Sequence, residues 1–314
     1  MKNRLCMLSC VLISIFSGYA QKITFTPQWT PQSQFAGYYA ALENGYYAQA
    51  GLDVSIVHPT NSYSSMNMLV DGTCDIITSE LIQAMVATDK DVKLVNLLQT
   101  TQHSTLVLMS HIKNIRQMSD LAGRRVGTWK TGFSEIPHMI DQEQNLNIEW
   151  VKFINPLNIY ISGAVDAALG KSYNEQILFS MSGITPGSVL RFSDLGYDCP
   201  EDGLYVSEEF FNQNPQLCRK FAEASRKGWE WVRNNRNEAV EIVMRYVKEA
   251  KVSTNIYNQK WMLETILQAQ EDVKGEKPSY SLKVDAFNKL NDMLLKFGYI
   301  SKPVVYKRFI GDNQ

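Results

Sequence analysis

Between residues 23 and 192 the chain alternates short apolar, β-branched runs with amphipathic helical stretches, and few folds accept such an alternation. The spacing predicts strands over 23–25, 53–57, 75–77 and 92–98, separated by helices over 36–49 (ended by Gly51), 62–70 and 81–88. A second series follows: strands over 105–109, 123–127, 149–153, 165–169 and 189–192, with a helix over 134–144 and a polar, turn-rich stretch over 110–119. Such a series implies βαβ units and mostly parallel sheets flanked by helices. After Pro200 the texture changes. A short strand over 204–206 leads to four amphipathic helices, over 215–234, 237–248, 256–270 and 284–297, whose apolar faces need the first sheet to cover.

The chain has 314 residues, more than one hydrophobic core usually accommodates, so two lobes are expected. Residues 21–109 and 200–314 are assigned to a discontinuous first lobe and 110–199 to a second, with crossings near Met109 and Pro200. An α/β architecture of this kind leaves a cleft between the carboxyl ends of the two sets of strands, where open sheets bind ligands.

The first twenty residues read as an export signal. Lys2 and Arg4 precede an apolar run over 5–16, and Gly18-Tyr19-Ala20 supplies small residues ahead of a cleavage before Gln21. The run is too short to span a bilayer, which takes ~20 residues. Met7-Leu8-Ser9 before Cys10 is a poor lipidation signal. The expected location is therefore the periplasm. A net charge of −1, with acids and bases interspersed, argues against nucleic acid or an anionic membrane as partner. A monomer is expected. Cys74, Cys199 and Cys218 remain after cleavage, an odd number without CxxC; a Cys199–Cys218 disulfide and three small buried hydrophobes are both open.

Catalytic motifs are missing. The histidines, His58, His103, His111 and His138, have no metal-ligand spacing, and no GxSxG occurs. Gly170-Lys171-Ser172 resembles the end of a phosphate loop, but Val165 stands where that motif needs glycine. No cofactor or metal is expected. What remains is a set of polar and aromatic residues at strand ends: Trp29 and Gln34 after the first strand, Glu80 after the third, Trp129 and Ser134 in the second lobe, and Tyr173, Asn174 and Glu175 beyond Ser172. Each has an ordinary structural reading as well. Trp29 and Trp129 suit lobe packing, Glu80 and Ser134 suit helix starts, and Tyr173 suits a loop. Their shared location favours a ligand site.

Several segments carry a resemblance. Trp29-Thr30-Pro31, Gly37-Tyr38-Tyr39-Ala40, Glu43-Asn44-Gly45-Tyr46-Tyr47, Leu121-Ala122-Gly123-Arg124-Arg125-Val126-Gly127, Tyr173-Asn174-Glu175 and Pro200-Glu201-Asp202-Gly203 run in the order of the thiamine-pyrimidine-type periplasmic binding proteins. The resemblance covers nearly the whole chain beyond residue 20. It implies the type II periplasmic binding fold, a receptor role beside an ABC permease, and a pyrimidine thiamine precursor or, in some members, a flavin as ligand. It points to Trp29, Tyr173, Asn174 and Glu175 as cleft residues.

The residues suit that ligand class. A planar ring would stack on Trp29, Trp129 or Tyr173. Asn174 offers donor and acceptor together, and Glu80, Glu135 or Glu175 could accept from an amine. Nitrate, sulfonate or taurine would instead call for Arg, or for free helix N-termini without acids, and none of these strand-end loops contains an Arg. A fungal branch of the resembled family synthesises the pyrimidine from histidine and pyridoxal phosphate, using a cysteine run and a histidine after the tryptophan loop. Here Phe35 occupies the histidine position and no cysteine run exists near Cys199, so a non-enzymatic receptor is expected. Whether it serves a transporter or a membrane sensor stays open.

Overall fold

A computed structural model describes residues 20–311 apart from 61, 131 and 155; the expected export signal lies outside the described residues except for Ala20. Ten strands form two sheets: β1 Gln21–Thr26, β2 Leu52–Ile56, β3 Ile76–Glu80, β4 Leu94–Gln99, β5 Leu106–Ser110, β6 Arg125–Trp129, β7 Glu149–Phe153, β8 Ala167–Lys171, β9 Ser188–Arg191 and β10 Asp202–Ser207. The sheet orders are β2-β1-β3-β10-β4 and β7-β6-β8-β5-β9.

Each sheet has three adjacent parallel strands and one that runs against its neighbours, β10 in the first sheet and β5 in the second. Both reversed strands are the first to follow a crossing between lobes. Their leading ends therefore lie beside the carboxyl ends of the parallel strands, and each crossing delivers its residues to the same cleft.

This topology corrects the lobe boundary expected from sequence. Residues 106–110 pair with β8 and β9 in the second sheet, so the first crossing runs through 100–105 rather than near Met109. An apolar strand following β4 looks like its neighbour when read along the chain, yet its partners β8 and β9 lie far downstream, with Leu108 opposite Leu169 and Leu190. The return crossing occupies 192–201. His103 on the first crossing bonds Asp198 on the second at 2.6 Å, and the Ser104 N–H donates to the same carboxylate at 2.8 Å. The two crossings are thus clasped to each other.

The helix expected over 36–49 is two, Ala36–Glu43 and Tyr46–Gln49, because Gly45 adopts φ 71° between them. The first is buried against the helix Pro215–Asn234. The backbones meet so closely that a Cβ on Gly228 would stand 2.0 Å from the Gly37 carbonyl oxygen. Phe25, Tyr38, Phe221 and Trp229 pack around this contact.

The C-terminal helices do not all cover the first sheet. Val284–Lys296 places Phe287, Leu290 and Leu294 in a cluster that also holds Leu81 and Met85 of the first lobe with Val126, Ile136 and Met139 of the second. Lys296 pairs with Glu143 and Lys289 donates to the Gly196 carbonyl. This helix braces the two lobes behind the cleft.

Candidate functional site

The carboxyl ends of β1, β3, β6 and β8 open into an interlobe cleft of about 270 Å³ lined by Trp29, Thr30, Gln32, Glu80, Trp129, Phe133, Ile154, Lys171, Tyr173, Asn174 and Glu175. Two chemically distinct parts compose it: an aromatic mouth and a charged floor.

The mouth draws on both lobes. The ring of Trp29, from the loop after β1, lies 5.2 Å from that of Phe133 in the second lobe, and Phe133 lies edge-on to Trp129 at 6.1 Å. Trp129 in turn rests on Phe153. Trp29 keeps 41% of its surface exposed although it is a large apolar residue, as a stacking platform requires. Phe133 is held at φ 63°, in the left-handed region that costs a non-glycine residue about 1 kcal/mol or more. From behind, His58 Nδ1 lies 2.5 Å from the Trp29 carbonyl while Nε2 lies 3.0 Å from the Tyr39 hydroxyl. Burial lowers the His58 pKa; the neutral ring can donate to the carbonyl and accept from the hydroxyl.

The floor is a buried charge cluster. Lys171, at the end of β8, bridges Glu80 Oε1 at 2.6 Å and Glu201 Oε1 at 3.0 Å, with all three side chains 8% exposed. Glu201 is further held by the Thr105 N–H at 2.9 Å, the Thr105 hydroxyl at 2.5 Å and the Ser104 hydroxyl at 2.9 Å. Asp202 accepts from Gln28 at 2.9 Å and Gln34 at 2.6 Å. Glu175 accepts from the Lys171 backbone N–H at 2.7 Å and from the Asn174 amide at 3.1 Å.

One cation thus answers four carboxyls in a poorly hydrated space. Burial is the largest influence on Glu80 and lifts its carboxyl far above the usual carboxylate range; Lys171 opposes this, and repulsion from Glu201 and Asp202 reinforces it. Asp202 is pushed up to about 6, again chiefly by burial and against the pull of Gln34. Glu175 is raised by burial, with the Lys171 N–H opposing. Burial also acts on Lys171, but Glu201 and Glu80 outweigh it and hold the ammonium charged. The cluster therefore holds more carboxyls than cations.

Trp29, Glu80, Trp129, Tyr173, Asn174 and Glu175 all line this cleft. Gln34 lies behind it, 2% exposed, with its amide engaged by Asp202 and Gln32. Ser134 is also buried, and its hydroxyl faces the Gly132 carbonyl at 3.4 Å. Glu80 forms the last residue of β3 as well as the start of the helix Leu81–Asp89, so one residue serves both a strand end and a helix start. Sequence reasoning passed over Lys171, tested only as part of a phosphate loop, and Phe133, which lies between two residues it selected. The acids Glu201 and Asp202 stood in a resembling segment without being assigned to the site. Cys199 and Cys218 are free thiols, so the pairing held open above is not formed.

Residues 32–239 match the family described as NMT1/THI5 like, and the chain belongs to that family. It is 24% identical over 292 residues to a formylaminopyrimidine-binding protein of Halalkalibacterium halodurans, covering 88% of this chain and 86% of the relative. It is 21% identical over 300 residues to a riboflavin-binding protein of Chloroflexus aurantiacus, covering 90% and 83%. A pyrimidine phosphate synthase of Saccharomyces cerevisiae is 24% identical over 67% of each chain. Among solved structures, the aliphatic sulphonate binding protein of Escherichia coli superposes with a TM-score of 0.67 at 13% identity, over 93% of this chain and 98% of that one. The fold is the two-lobed type II periplasmic binding fold.

Proposed function

We propose that this member of the NMT1/THI5-like family is the solute receptor of an ABC-type importer and holds a small amine-bearing heteroaromatic, such as a pyrimidine precursor of thiamine, in its interlobe cleft. The observation that carries the reading is the union in one cleft of aromatic walls from both lobes with the buried carboxyls of Glu80 and Glu175 and the cation of Lys171, backed by Glu201 and Asp202. A planar ring stacks on the exposed face of Trp29 once the lobes part from the 5.2 Å Trp29–Phe133 contact, and its amino groups point to the carboxyls. An oxyanion ligand would meet the reverse arrangement, because the one lysine is already shared by two acids and the surplus charge is negative.

Lobe closure is the working motion. The ligand bridges both lobes, the crossings at 100–105 and 192–201 bend, and a permease in the cytoplasmic membrane engages the closed form. The protein acts outside that membrane as a monomer. The enzymatic reading draws support from the yeast synthase relative, but among the described residues the cleft lining holds no histidine, and Cys199 beside Glu201 has its thiol pushed up by burial rather than activated.

A thermal-shift panel of hydroxymethylpyrimidine, its formylamino precursor, riboflavin, taurine and nitrate tests the proposal. A ligand present at a hundred times its Kd stabilises by about 2.7 kcal/mol, so a pyrimidine should raise Tm by several degrees. Stabilisation by taurine or nitrate alone would overturn the aromatic-amine reading. Stabilisation by riboflavin alone would move the ligand to the flavin class.

A further inference from the structure

The two acids that share Lys171 are held very differently. Glu201 keeps three hydrogen bonds from Thr105 and Ser104 whether or not the lysine is present. The Glu80 carboxyl, equally buried, faces the cleft with Lys171 as its one recorded hydrogen-bonding partner among the described residues. Glu80 comes from the first lobe and Lys171 from the second, so their bond ties the lobes across the binding space. Glu201 stands on the crossing itself.

The asymmetry has a consequence for binding. A buried carboxylate left without a donor is strongly unfavourable, so Glu80 is held by some donor whenever the cleft is shut. In the structure that donor is Lys171, at 2.6 Å. A ligand that fills the cleft and carries an amino group can replace it, and the ammonium then keeps Glu201 as its counter-ion.

We infer that Glu80 is the carboxyl that reads the ligand's amine, and that Lys171 is its internal stand-in, closing the unliganded cleft and handing Glu80 over when an aminoheterocycle binds. The inference rests on the receptor reading proposed above. It adds a specificity mechanism: a ring of the same shape without an amino group cannot replace the lysine, and the Lys171–Glu80 pair excludes it.

The test compares wild-type protein with Lys171→Met and Glu80→Gln, using small-angle scattering without ligand and calorimetric titration with 4-amino-5-hydroxymethyl-2-methylpyrimidine. If the stand-in is real, Lys171→Met opens the ligand-free protein and tightens pyrimidine binding about tenfold, the equivalent of about 1.4 kcal/mol. Glu80→Gln weakens binding at least about tenfold with little change in Tm. Weaker binding by Lys171→Met would overturn the inference, because the lysine would then contact the ligand directly. An unchanged scattering profile for Lys171→Met would equally overturn it, as would undiminished affinity of Glu80→Gln. Should Lys171→Met fail to fold, Lys171→Gln with Glu80→Gln removes both charges together and should show the same opening. If no pyrimidine binds wild-type protein, the receptor reading fails at the titration, while the scattering comparison still judges the cross-lobe tie by itself.

Discussion

The first lobe buries one face of its sheet under the helices Ala36–Glu43 and Pro215–Asn234, with Trp229, Phe221 and Tyr38 fully enclosed. The second lobe has a smaller private core around Met109, Tyr160 and Phe179, and its other face joins a cluster that the first lobe and the helix Val284–Lys296 complete. The first lobe is thus equipped to be a self-supporting body, whereas the second is an insertion that borrows part of its core. Stability and ligand recognition are distributed unequally as a result. The larger core steadies β1 and β3, which present Trp29 and Glu80, while the smaller lobe contributes Phe133, Trp129 and Lys171 as the more readily displaced partners.

The largest expected effect is on this inequality. Trp229→Ala should cost about 3–5 kcal/mol and lower hydrogen-exchange protection in both lobes, since the insertion leans on the first lobe. Phe179→Ala, equally buried, should lower protection in β5–β9 while leaving β1–β4 protected. Equal loss in both lobes for both variants would break the comparison.

At the cleft mouth, Trp29→Ala should weaken ligand binding about tenfold or more and leave the ligand-free Tm within about a degree, because that ring is partly in solvent and belongs to no core. Titration and melting together check it; a large fall in Tm would reassign Trp29 to packing. Phe133→Gly should weaken binding too, yet stability should hold or rise by up to about 1 kcal/mol as the left-handed backbone is relieved.

The smallest effect belongs to the hinge clasp. The hydrogen bond to Asp198 is the main reason the His103 pKa is raised, so its contribution is fully present below the ordinary value of 6.5 and is lost as pH rises through the raised folded value. His103→Ala should therefore cost up to about 0.5 kcal/mol near pH 6 and less near pH 8, the exposure of both side chains keeping it small. Urea melts at the two pH values would show the difference, and an equal cost at both would deny the histidine's charge any role.

Much of this arrangement was legible in the chain. Period-two and period-3.6 patterns marked the strands and long helices, and six of the cleft residues follow from being at strand ends. What escaped had non-local causes. Residues 106–110 looked like a first-lobe strand because sheet membership is decided by β8 and β9 far downstream. Lys171 carries no motif; its role comes from Glu80 and Glu201, distant in sequence on either side. Gln34 was selected with its loop, but only the fold reveals that Asp202 occupies its amide.

The clasp between His103 and Asp198 also bears on how the molecule can be divided. It brings the start and end of the inserted lobe within hydrogen-bonding reach, so a few residues would suffice to join Thr101 directly to Asp202, whose backbone N–H already meets the Thr101 hydroxyl at 2.6 Å. A first lobe closed over that junction would keep its strand order and Trp29 while losing Lys171, leaving a half-receptor with Glu80 facing water. The junction is thus a single short seam in the chain, although the shared cluster of Leu81, Met85, Val126 and Phe287 still holds the two lobes together behind it.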